Sequence, residues 1–139
     1  MANGDLVRYF STPLTRVWNR VLFLTWALFA VAMGFLAASS QRTGKRLWWV
    51  DAHGMHLFFT IALIYCSAIV VMALAIKQSR FALLVGVLMG IAHIVSACFD
   101  LSGTTGSALA AFVLAISTLV ASLACTAGVG QHPRTTTVQ

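Results

Sequence analysis

The chain has very little charge. Glutamate is absent from its 139 residues, aspartate occurs three times, and only 9% of the residues are charged. A water-soluble domain carries roughly 25% charged residues, whereas 60% of this chain is apolar and its mean hydropathy is +0.90. We therefore expect an integral, multi-pass membrane protein. The net charge of +6 does not indicate a nucleic-acid partner, because the basic residues flank apolar runs and their densest cluster is only the pair Lys45 and Arg46.

Four apolar runs come close to the roughly 20 residues that a helix needs to cross about 30 Å of hydrocarbon. They are residues 21–38, 55–76, 81–99 and 107–129, and none contains Asp, Glu, Lys or Arg. Barrel strands instead alternate polar and apolar residues. The sequence thus predicts an all-α, integral membrane four-helix bundle. Residues 1–130 form its single domain, with spans at about 18–39, 55–76, 81–99 and 107–129, and residues 131–139 form a polar tail.

Short connections between the spans predict an up-down antiparallel bundle. Six basic residues lie on the side that both termini share, against three on the other side. The positive-inside rule then places both termini in the cytoplasm. The six are Arg8, Arg16, Arg20, Lys77, Arg80 and Arg134, and the three are Arg42, Lys45 and Arg46. We expect Arg8, Arg16 and Arg20, and the ring side chains of Trp48 and Trp49, at the lipid interface.

Small residues repeat at helical spacing on three spans and predict close helix packing. The third span has a GxxxG motif at Gly86 and Gly90. The bulky side chains are expected to face lipid or partner subunits. They are Phe23, Phe29, Phe35, Phe58, Phe59, Ile69 and Phe81. The predicted packing residues are Ala27, Ala30, Gly34, Ala82, Gly86, Gly90, Ala111 and Ala121. Two alternatives stay open: these faces pack within one chain, or they pack against another copy or a different subunit.

Polar residues collect at the end of the bundle that is predicted to face outward. Asp51, His53, His56, His93 and Asp100 form the candidate ligand or polar site. His93 shares a stripe with the glycines and should point into the bundle, where an imidazole needs a partner. His56, Thr60, Ser67 or a backbone carbonyl would satisfy it. Either a structural hydrogen bond or ligand and proton-relay chemistry would explain such a histidine.

No cofactor is required by the sequence, although two are considered. Haem b would need His56 and His93 on opposite sides of one iron, and the predicted levels of these residues differ by about 7 Å. A divalent metal at His53 and His56, with Asp51, is the other alternative, but an HxxH spacing alone is a weak signal.

Enzyme motifs are missing from the sequence. It contains no CxxC, HExxH, phosphate-binding glycine loop or G-x-S-x-G element. The small multidrug-resistance type of transporter needs a carboxylate within the membrane, and no predicted span has one. A small channel or transporter using His93 and Asp100 is a further alternative, although ionisable residues are found only toward one side.

The chain has a short basic N-terminus, four spans, a modest first outer loop (SSQRTGKRLWWVDAHG), a tiny inner loop (KQSR) and a polar tail. This layout resembles MARVEL-type tetraspan proteins of vesicles and plasma-membrane domains, and the resemblance implies a role in organising membrane. We therefore expect a non-catalytic membrane protein that acts by helix packing. It would be a self-associating scaffold or a small subunit of a larger complex, with membrane lipids, further copies or other membrane subunits as partners. A haem- or metal-binding redox subunit is the main alternative.

Overall fold

The computed structural model describes residues 15–44, 47–51, 55–79, 81–100 and 105–128. Within these ranges every regular element is helical. The elements are α1 (Arg16–Thr43), the short α2 (Trp48–Asp51), α3 (Met55–Ile76), α4 (Phe81–Asp100), α5 (Thr105–Ala124) and a 3₁₀ turn (Cys125–Gly128). The predicted polar tail, residues 131–139, lies outside the described residues. Helix α2 was not predicted and lies in the first loop.

Four of the described helices, α1, α3, α4 and α5, are long and apolar enough to cross a membrane. Helix α1 has 28 residues, so it is about 42 Å long and exceeds the roughly 30 Å of hydrocarbon. Its length is therefore more than sufficient to span the hydrocarbon. It stops at Gly44, whose φ of 70° is left-handed and whose N–H donates to the Gln41 carbonyl. Glycine adopts this conformation without strain.

The principal contacts of the four long helices close into a ring. Helix α4 has its most extensive contact with α5, and α1 packs against both α3 and α5. Contact between α3 and α4 completes the ring, and α2 rests on α3. Each long helix thus turns one face inward and leaves the opposite face outside.

Glycines allow the close approach of α4 and α5. A Cβ atom added to Gly90 would lie 3.2 Å from the Leu119 Cα, and one added to Gly86 would lie 2.9 Å from the Ser122 Oγ. Ala82 and Ala111 are also buried. The predicted GxxxG face therefore packs within the chain, and it is not free to bind a second copy.

Large side chains of α1 fill the space that the small faces of α4 and α5 leave. Leu22, Trp26, Phe29 and Met33 are all buried, each at most 4% exposed. The expectation that Phe29 faces lipid is therefore wrong. The predicted packing residues Ala27, Ala30, Gly34 and Ala121 are only half-buried.

Large apolar side chains cover the outward faces of the long helices. Phe35, Phe58, Phe59, Ile69 and Phe81 are exposed, as the sequence predicts. On three helices the exposed residues repeat at intervals of three and four, the spacing of one helix face. They are Val17, Val21, Leu24, Leu28, Val31 and Phe35 on α1, Phe81, Leu84, Leu88, Ile91 and Val95 on α4, and Leu109, Val113, Ile116, Val120 and Leu123 on α5. Such a surface suits lipid or other membrane helices.

Candidate functional site

One polar or aromatic residue from each long helix meets inside the bundle. We call Trp26 of α1, Ser67 of α3, His93 of α4 and Ser122 of α5 the central polar cluster. His93 Nε2 lies 2.9 Å from the Ser67 Oγ, and Trp26 Nε1 donates to the Ser122 Oγ at 3.4 Å. The rings of Trp26 and His93 are 6.2 Å apart between centroids. The cluster therefore links all four long helices.

Aromatic rings cover His93 on the α1 side. The Phe29 ring centroid lies 4.8 Å from that of His93, and Phe29 itself meets Trp26 edge to face at 5.4 Å. His93 is thus placed between a hydrogen-bonding serine and two apolar ring surfaces. An imidazole at this depth is stable as the neutral form with one nitrogen bonded, because burying its charged form in such surroundings is costly.

Ser67 has two hydrogen-bonding neighbours. Its Oγ lies 2.6 Å from the Ile64 carbonyl of its own helix and 2.9 Å from His93 Nε2. A serine hydroxyl can donate one hydrogen bond and also accept, so the direction of the bond to His93 follows the tautomer of the imidazole. In either tautomer the bond joins α3 to α4.

Space beside His93 is small. A cavity lined by residues of α1, α2, α4 and α5 leaves about 10 Å³, which is room for a single water molecule. Its lining includes Trp49, His93 and Ser96. Binding sites for drug-sized ligands occupy roughly 300–1,000 Å³, so this cavity does not accommodate a cofactor or an organic substrate in the present packing.

Helix α2 covers the end of the bundle nearest His93. Leu47, Trp49 and Val50 are buried, at most 7% exposed, and the Thr60 hydroxyl donates to the Trp49 carbonyl at 3.2 Å. Trp49 is therefore enclosed by the bundle, and its depth at the lipid interface stays a prediction. The neighbouring Trp48 of the same short helix points outward and is 42% exposed. Its Nε1 donates to the Ser96 carbonyl and hydroxyl.

Helix positions separate His56 from His93. His56 belongs to the first turn of α3, eleven positions before Ser67, which is about 16 Å along the helix axis. This separation disfavours an iron shared by His56 and His93. Asp51 and Asp100 are the last residues of α2 and α4, and His53 lies outside the described residues. Across the part of the chain that the structure describes, three His, Cys, Asp or Glu side chains do not come close enough to hold a metal ion.

The predicted basic lipid-interface residues lie at the start of α1. Arg16 and Arg20 are exposed there, and Arg8 lies outside the described residues. A groove between α1 and the end of α3 is lined in part by Arg16, Arg20 and Gln78.

Sequence reasoning missed two members of the central polar cluster, Trp26 and Ser122. A tryptophan within a span, away from the interface where tryptophan is enriched, was a usable signal for a buried hydrogen bond. Ser122 gave a weaker signal, because serine is common on packed transmembrane faces.

Comparison with known proteins gave no further assignment. The chain matches no protein-family model, no curated protein and no solved structure.

Proposed function

We propose that this chain is a non-catalytic multi-pass membrane protein that acts by helix packing. It is either a self-associating protein that organises a membrane patch or a small subunit of a larger membrane complex. The resemblance in layout to MARVEL-type tetraspan proteins agrees with the first of these roles. One observation supports the proposal: the inward faces of the long helices pack within the chain, whereas their outward faces are apolar and exposed.

The inner sides are committed within the chain. Gly86 and Gly90 serve the contact of α4 with α5, and the hydrogen bonds of Ser67 and Trp26 end on α4 and α5 respectively. Interhelical hydrogen bonds in membrane proteins contribute about 0.6 kcal/mol on average. The cluster therefore sets the register of the helices more than it supplies stability.

The outer sides are left for other molecules. The exposed face of α1 presents Val17, Leu24, Leu28, Val31 and Phe35 along most of its length. Partner helices would pack on such faces through van der Waals contact, because lipid tails give no hydrophobic driving force within the membrane. The glycine faces, for which the sequence left both kinds of packing open, are used within the chain.

An up-down bundle with both termini in the cytoplasm is part of the proposal. Contacts between successive helices support opposed directions: Gly86 is near Ser122, whereas Gly90, one turn later, is near the earlier residue Leu119. Arg16, Arg20 and Lys77 then lie on the cytoplasmic side, in agreement with the positive-inside rule.

Cysteine cross-linking in native membranes tests the association. Outward cysteines are introduced singly at Leu28, Leu88 and Val113, in a background where the exposed Cys66 and Cys98 are replaced by serine. Leu22→Cys is the matched inward control on α1, because Leu22 is 0% exposed. We expect at least one outward position to give a cross-linked dimer or a link to another subunit, and Leu22→Cys to give neither. The absence of links from all outward positions would refute the proposal.

A further inference from the structure

A groove opens between the beginning of α1 and the end of α3. Its volume is about 470 Å³, within the roughly 300–1,000 Å³ that ligand sites occupy. We call it the basic groove. Arg16, Arg20 and Gln78 form its polar end, and Phe23, Leu24 and Ile76 form its apolar walls.

The polar and apolar parts of the basic groove follow the helix axis. Arg16 and Arg20 are one turn apart on the same face of α1, and both are exposed. Phe23 and Leu24 belong to the next turn. Because α1 exceeds the hydrocarbon thickness, its first turns lie at the headgroup level and the following turn lies among acyl chains.

Charge at this end of the bundle has one sign. The described charged residues near the groove are Arg16, Arg20 and Lys77, all cations. Asp100 stands at the far end of α4, nineteen positions or about 28 Å beyond Phe81. A second copy of the chain would bring the same cations to the groove and would be repelled, whereas an anion joined to an apolar chain fits both parts.

We propose that the basic groove binds one anionic phospholipid. Its phosphate lies between the guanidinium groups of Arg16 and Arg20, the Gln78 amide donates to it, and an acyl chain follows Phe23 and Leu24. Arginine suits this role because its fork of N–H donors matches phosphate oxygens. The inference rests on the proposed topology, which puts this end of the bundle at the anionic cytoplasmic leaflet.

Native mass spectrometry of the full chain in mild detergent tests the headgroup contact. Phosphatidylglycerol and phosphatidylcholine with identical acyl chains are offered in equal amounts. We expect preferential retention of phosphatidylglycerol, and an approximately 30-fold weaker retention in the double variant Arg16→Gln/Arg20→Gln, since each basic residue near an anionic surface contributes a several-fold effect. Arg42→Gln, the same change at the other end of α1, should retain the lipid normally.

Two further variants test the apolar wall and the amide. Leu24→Trp should fill the groove and reduce retention, whereas Leu28→Trp, one turn farther along and also exposed, should not. Gln78 has a φ of 54°, a left-handed conformation that glycine adopts more easily. Gln78→Gly should therefore raise the unfolding temperature while weakening phosphatidylglycerol retention about threefold, an effect that a damaged fold cannot produce.

Four results would overturn the inference. Equal retention of the two lipids, or undiminished retention by the arginine double variant, would remove the role of the cations. Competition by inorganic phosphate alone would define a free-anion site instead of a lipid site. Failure of the full chain to retain either lipid would mean that the groove does not bind phospholipid. The same spectra count the chains in each particle, so lipid binding and association can fail independently.

Discussion

Replacing Gly90 by alanine tests whether the inner faces are packed as the structure shows. The new Cβ would lie 3.2 Å from both the Cα and the Cβ of Leu119, which is closer than ordinary van der Waals contact. The Cα belongs to the backbone, so α5 must move by a few tenths of an ångström. Overpacking of this kind costs about 1–3 kcal/mol, and the better helix propensity of alanine returns up to about 1 kcal/mol. We expect a net loss of about 1–2 kcal/mol in the free energy of unfolding.

Other glycines of the bundle provide graded controls. A Cβ at Gly106 meets nothing within 4 Å, so Gly106→Ala should be neutral or slightly stabilising. At Gly34 it would lie 3.1 Å from the Tyr65 hydroxyl, the end of a side chain that can move aside. At Gly86 it would lie 2.9 Å from the Ser122 Oγ and would disturb the bond from Trp26. The expected order of destabilisation is Gly90, then Gly86, then Gly34, then Gly106.

Equilibrium unfolding in mixed micelles, followed by helical circular dichroism while the denaturing detergent fraction is raised, measures this order. Each variant is compared with the unaltered chain at the same protein-to-detergent ratio. If Gly90→Ala proved as stable as Gly106→Ala, the close contact of α4 with α5 would be refuted.

Three other substitutions or reactions probe the interior of the bundle. Ser67→Ala leaves the His93 imidazole without its partner and should lower the free energy of unfolding by about 0.6–1.7 kcal/mol in the same assay. Ser117→Ala, which removes only an exposed bond to the Val113 carbonyl, should lower it by less than about 0.5 kcal/mol; equal losses would contradict the bond between Ser67 and His93. Trp49→Ala should lower the free energy of unfolding by about 3 kcal/mol or more, because the ring is 2% exposed. Trp48→Ala should lower it clearly less, and the reverse order would contradict the position of α2. N-ethylmaleimide should label Cys98, which is exposed near the end of α4, in the folded protein and Cys125 only after unfolding, because Cys125 is buried. Rapid labelling of Cys125 in the folded protein, read by mass, would contradict the packing of the 3₁₀ turn against α1.

The membrane-crossing helices could be predicted from the sequence because their length is set by the thickness of the hydrocarbon. The apolar runs are uninterrupted and end at KQSR or at Asp100, so the sequence marks the helix ends clearly. Helices α3 and α4 begin and end within one residue of the predicted spans. The direction of His93 was also predictable, since the glycines three and seven residues before it mark the inward face. Ser67 was among the partners that the sequence offered for this histidine.

The buried side of α1 could not be predicted in the same way. Its residues are apolar on every side, so there is no polar face to contrast with the buried one. Phe29 and Phe35 are chemically identical, yet one is 2% exposed and the other 73%. The difference arises from the shape of the space between α4 and α5, which is a property of the assembled bundle. The burial of Trp49 also depends on the assembled bundle, because Trp49 differs from Trp48 only in the side of α2 that packs against the other helices.

The mass of the particle extracted from native membranes in mild detergent tests the central claim most directly. One chain has a mass of 14.9 kDa. Association through the outward faces predicts a protein mass that is a multiple of this value, or one that includes a different membrane subunit in a fixed ratio. A single chain of 14.9 kDa carrying only lipid and detergent, at every detergent concentration that keeps the protein folded, would contradict it.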